Sequence, residues 1–129
     1  MGHVVHHAVI VTIPEYIYNA RERRHEGLMP DIDAFRASLP AHWQPLLVGP
    51  IPSVVEGYAT YMFAPDGSKE GWPDSNQGDE YRQQFADLFR FRYEDGGTPF
   101  EVVEVGWDRE GHDVRDPREA SAVPEGEKP

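Results

Sequence analysis

The chain has 129 residues, enough for one domain, with 12 Lys and Arg against 23 Asp and Glu for a net charge of −11. Nonspecific nucleic-acid binding needs a basic stripe that displaces counterions, and the arginines here (Arg21, Arg23, Arg24 and Arg82, Arg90, Arg92) are interleaved with acids, so direct DNA or RNA binding is excluded. The absence of Cys removes disulfides, thiolate catalysis and Cys-ligated metal centres, and fits a reducing cytoplasm.

The start of the chain, Met1-Gly2-His3-Val4-Val5-His6-His7, lacks the basic n-region of a signal peptide. The longest apolar run falls far short of the roughly 20 residues of a membrane span, so a cytoplasmic protein with no membrane partner is expected. Residues 4–13 are β-branched and apolar on both alternation faces, the pattern of an interior strand covered on both sides. Pro14 can open a helix, and residues 15–25 read as helical, with Tyr16, Ile17 and Ala20 on one face and Gly27 as the stop. A short helix follows in 30–40, carrying Ile32, Phe35 and Leu39. Leu46-Leu47-Val48, hemmed by Pro45, Pro50 and Pro52, is an edge strand. Residues 58–64 alternate as a better strand.

A long connection, 64–79, leads into a helix predicted over 79–93, where Tyr81, Phe85, Leu88 and Phe89 recur at helical spacing. Asn76 or Asp79 would cap it, Gly96 lies just past its end, and Arg82, Arg90 and Arg92 fall on its solvated face. Residues 100–107 form a last strand. From Asp108 the hydrophobic pattern fades, so one domain over 1–107 is expected, with 108–129 a disordered or loosely attached acidic tail. The order β-α-(α)-β-β-α-β is that of the ferredoxin-like split β-α-β arrangement. It predicts an α+β fold with an antiparallel sheet of about four strands and the helices on one face. The other face carries Ala8 and Ile10 beside His6, so a homodimer through it is one expected arrangement.

The long connection is where chemistry concentrates. It holds Trp72, Lys69 and four acidic residues among Gly and Pro. It is not a phosphate-binding loop, because no Gly-Lys-Ser/Thr triplet opens a helix. Asp74 to Asp79 is not a calcium loop, since the required Glu position is Phe85. One reading makes its ends turn and cap chemistry and Trp72 a lid over the core. The other makes Ser68, Lys69, Glu70, Trp72 and Asp74 contacts to a ligand or partner. His6 and His7 point to opposite strand faces and cannot share an ion, so no metal or other cofactor is assigned. His7 remains a candidate binding residue, and Glu104 can pair with either His6 or His7 across the sheet. No catalytic constellation emerges; Ser38, Ser53 and Ser68 lack a nucleophile-elbow context.

Three segments, His6-His7-Ala8-Val9-Ile10-Val11-Thr12, Ala64-Pro65-Asp66-Gly67-Ser68-Lys69-Glu70-Gly71-Trp72 and Tyr93-Glu94-Asp95-Gly96, together resemble a family of small, acidic, uncharacterised proteins carried by bacteriophages and bacteria. The family has no established activity, so no catalytic residue is carried over. The resemblance implies an accessory protein of a mobile element, located in the host cytoplasm and binding a host protein or small molecule without catalysis. The competing expectation is a small nucleotide- or metal-dependent enzyme with His6, His7, Lys69 and Asp74 around one pocket.

Overall fold

The computed structural model describes residues 4–14, 30–69 and 71–119. The helix expected over 15–25 lies outside the described residues. Among these residues the fold is α+β, with five antiparallel strands in the order β2-β3-β1-β4-β5. The strands are β1 (His6–Pro14), β2 (Leu47–Pro52), β3 (Tyr58–Phe63), β4 (Glu101–Asp108) and β5 (Gly111–Arg115). The helices α1 (Ile32–Ser38) and α2 (Pro73–Asp87) accompany them.

The apolar β1 is interior, as its pattern predicts, with Val11 opposite Tyr61 of β3 on one side and Val102 of β4 on the other. On one sheet face Val9, Val11 and Ile13 join Ala59, Tyr61, Phe63, Leu47 and Val102 in the buried core. Ile32 of α1, Phe85 and Ala86 of α2, and Phe89 just past its end join the same cluster. Its rings interlock: Phe85 lies 6.0 Å from Phe35, 6.1 Å from Phe63 and 5.3 Å from Phe89, which meets Phe100 edge-on at 5.3 Å. Each such pair contributes about 0.5–1.5 kcal/mol beyond its buried area. α1 is short but capped, since the Asp31 carboxylate accepts from the Ala34 N–H.

The opposite face carries Ile10, Met62, Val103 and Val105, and the Thr12 and Thr60 hydroxyls hydrogen-bond across it at 2.9 Å. By register, the exposed Val48, Ile51, Tyr58 and Val114 also belong to this face.

The sheet has five strands rather than four. The chain beyond Trp107 turns at Asp108, whose carboxylate accepts from the Glu110 and Gly111 N–H groups, and returns as β5, with Val114 opposite Val105. All five residues of β5 are exposed, so alternation gives no signal there. After β5, Pro117 is fully buried and the Arg118 guanidinium donates to the carbonyls of Phe89 (3.1 Å) and Phe100 (3.2 Å) and to the Asp116 carboxylate. The boundary expected at 108 is therefore not a fold boundary. Of that expected tail, only 120–129 lies outside the described residues.

Burial alone would raise the pKa of Asp116, but hydrogen bonds from the Arg118 side chain and backbone, with the charges of Arg118 and Arg92, hold it below the ordinary carboxylate value. A depressed folded value stabilises above the unfolded value and is lost as pH falls through the folded one. Asp116→Asn is thus expected to lower the urea midpoint at neutral pH and to converge on the wild type under acid, below the depressed value. A gap independent of pH would contradict the pairing.

Candidate functional site

The loop leaving β3 is tied down at once: the Ala64 N–H donates to the Leu46 carbonyl at 2.8 Å. Asp66 then folds the chain back, its Oδ1 accepting from the Ser68 N–H (2.8 Å) and hydroxyl (2.6 Å), with Gly67 at φ +82°. Gly67 and Gly71 supply the left-handed conformations the two bends require. Lys69 makes an isolated β-bridge with Val4, and the Trp72 N–H donates to the Lys69 carbonyl at 3.1 Å.

The helix begins at Pro73, six residues before its expected start, with Pro at its first turn and Trp72 in the N-cap position. Asn76 and Asp79 therefore lie inside the helix and do not cap it, and the connection spans 64–72 rather than 64–79. The early polar stretch hid the helix because its burial is carried by Ser75 and Gly78, not by large apolar groups. The helix also stops at Asp87, so Arg90 and Arg92 lie past its end.

Arg82 is not solvated either. It is 3% exposed, its Nη2 donates to Asp79 at 2.9 Å, and its Nη1 lies 3.7 Å from Asp66 Oδ2. Gly78 makes that approach feasible, because a Cβ at this position would fall on the Asp66 carboxylate. Asp66 Oδ2 and Arg82 Nε and Nη1 are buried without hydrogen-bond partners, so the pair is held by charge and close approach.

Between the loop and the turn preceding β2 lies a pocket of about 330 Å³ lined by His42, Trp43, Leu46, Asp66, Gly67, Ser68, Trp72 and Asp74. Trp43 is buried and meets Tyr81 of α2 edge-on at 5.1 Å, so it forms a fixed wall. Trp72 is 48% exposed, more open than a ring sealed over the core would be. The Lys69 Nζ lies 5.5 Å from the Trp72 ring centroid, within cation–π range.

Of the residues expected in a site, Ser68, Trp72 and Asp74 are brought together here, and Lys69 stands against Trp72 outside the lining. Glu70 lies outside the described residues. His42, Trp43 and Asp66 were not anticipated. The first two reach the site through tertiary packing of a turn some twenty-five residues earlier in the chain, which no local pattern signals.

His7 belongs to a different place. On the helix-covered face it lies over Gly106, where a Cβ would sit 3.1 Å from its Nδ1. Glu104 Oε1 accepts a hydrogen bond from Arg115 Nε at 2.9 Å and is ion-paired with Nη2 at 2.6 Å, while its other oxygen is 3.9 Å from His7 Nδ1. That contact is ionic at most and too long for a hydrogen bond. With Arg82, Gln83 and Pro117 these residues line a cleft of about 450 Å³. His6 is on the opposite face, 5.6 Å from the Trp107 ring. The arrangement of His6, His7, Lys69 and Asp74 around one pocket is therefore not present. Among the described residues no group of three or more His, Asp or Glu is placed to hold a metal ion, and no helix is long and apolar enough to cross a membrane.

No protein-family model, curated protein or solved structure matches the chain.

Proposed function

We propose that this is a non-catalytic accessory protein of the phage type, acting in the host cytoplasm, and that it binds a host protein through the pocket between the 64–72 loop and the turn before β2. One observation carries the reading: an indole half open to solvent lines a pocket whose other walls include Trp43 and the Asp66 turn, fixed by packing and hydrogen bonds. Trp is enriched among the few residues that carry most of the binding energy at protein interfaces. The fold reading that accompanies it is ferredoxin-like. The order β2-β3-β1-β4, with α1 after β1 and α2 between β3 and β4, supports a split β-α-β core to which β5 is an addition.

The test is capture from host lysate with wild type and Trp72→Ala. Truncating a half-exposed side chain is expected to change folding stability by no more than about 0.5–1 kcal/mol, while specific partners are lost. Identical partner sets would remove the pocket from the function.

The His7 cleft favours the second reading, a small nucleotide-dependent enzyme, because a carboxylate fixed by Arg115 faces an imidazole there. The long His7–Glu104 separation makes it the weaker reading.

A further inference from the structure

We propose that the pocket receives a side-chain cation, the guanidinium or ammonium of an Arg or Lys projecting from a basic protein surface. This rests on the pocket being the partner surface and names the chemistry it selects. Trp72 already accepts an ammonium: Lys69 Nζ is 5.5 Å from its ring centroid. Lys69 is not among the lining residues, so this internal cation leaves the pocket itself open.

The two lining carboxylates have different duties. Asp66 spends one oxygen on Ser68 and turns the other toward Arg82, so its charge is largely compensated. Asp74 is exposed and makes no ion pair or side-chain hydrogen bond among the described residues, which leaves it to meet an incoming charge. An aromatic face beside a carboxylate is the pairing that recognises a guanidinium or ammonium.

The opposing effect is the positive end of α2, which opens onto the same pocket and would favour an anion. It is weak here. Pro73 has no N–H, the N–H groups of Ser75 and Asn76 are spent on the Trp72 carbonyl, and Asp74 already places a negative charge in the first turn. An anion entering the pocket would be repelled by that carboxylate. The chain's net charge of −11 adds long-range attraction for a basic partner.

The test titrates the full-length protein with Nα-acetyl-arginine amide, Nα-acetyl-lysine amide, the neutral isostere Nα-acetyl-citrulline amide and Nα-acetyl-glutamate amide. The readout is the indole N–H resonances, with Trp72 assigned from Trp72→Phe. The Trp72 resonance is expected to move saturably with the arginine and lysine probes and not with the other two, and Asp74→Asn should weaken the response about two- to fivefold. Equal response to citrulline, response to glutamate alone, or no response to any probe at tens of millimolar would overturn the proposal. If no cation binds while Trp72→Ala still loses its partner in the lysate, the cation chemistry fails and the partner surface stands. If the cations bind but Trp72→Ala keeps every partner, the partner surface fails instead.

Discussion

Phe85→Ala is expected to destabilise the protein by about 3–5 kcal/mol, a large fraction of what holds a domain of this size together. Phe85 is fully buried and meets three other rings: Phe35 from α1, Phe63 from the sheet and Phe89 from just past the end of α2. Truncation removes the transfer energy of a buried phenyl group, leaves a cavity, and unlinks both helices from β3. Urea unfolding should show a midpoint lowered by roughly 1–3 M with an unchanged slope. Val54→Ala, at a residue 99% exposed, should shift it within error and serves as the control. A loss below about 1 kcal/mol at Phe85 would mean that α2 is not seated on the sheet by this residue.

The second large effect is expected at the Arg82–Asp66 pair. Removing one member of a buried ion pair costs about 3–5 kcal/mol, because the survivor is left charged and desolvated. Asp66→Ala should fall near the lower end, about 3 kcal/mol, since Arg82 keeps the more exposed Asp79 as a partner. The double variant Asp66→Ala/Arg82→Met should recover part of that loss, with a coupling energy of about 1 kcal/mol or more measured by a double-mutant cycle. Purely additive losses would show that the 3.7 Å approach carries no interaction. The same substitution should also empty the pocket of its Asp66 turn, so partner capture and stability should fall together.

How much of this was legible from residues alone differs by element. The interior position of β1 was readable because apolar residues fill both of its alternation faces. The edge position of β2 was readable because Pro50 and Pro52 cannot serve a central strand. β5 was not readable, because a fully exposed edge strand of Gly, His, Asp, Val and Arg needs no periodic burial and takes its place from pairing with β4. The start of α2 was missed for a related reason. Pro73 at the first turn was present as a signal, but capping chemistry at Asn76 and Asp79 reads the same whether those residues precede the helix or lie within it.

The site shows the same division. Trp72, Ser68 and Asp74 are neighbours in sequence and were found as a cluster, whereas His42 and Trp43 join them only through packing of the turn before β2. Helical spacing places Arg82 among polar residues, which predicts a solvated face. Its burial follows from Gly78, which opens a gap in the α2 surface through which Asp66 reaches it. Sequence alone leaves Glu104 open to either His6 or His7 across the sheet; the register puts His7 on its side at 3.9 Å, and nothing local indicates that Arg115 claims the carboxylate.

The measurement that tests the account most directly is amide hydrogen exchange on the protein alone and mixed with a protein recovered in the lysate capture. The account expects new protection over residues 41–46 and 64–74, the two segments that enclose the pocket, with the rest of the sheet unchanged. Protection concentrated instead on the apolar sheet face around Met62, Val103, Val105 and Val114, or in the cleft at His7 and Arg115, would place the interface elsewhere and contradict it.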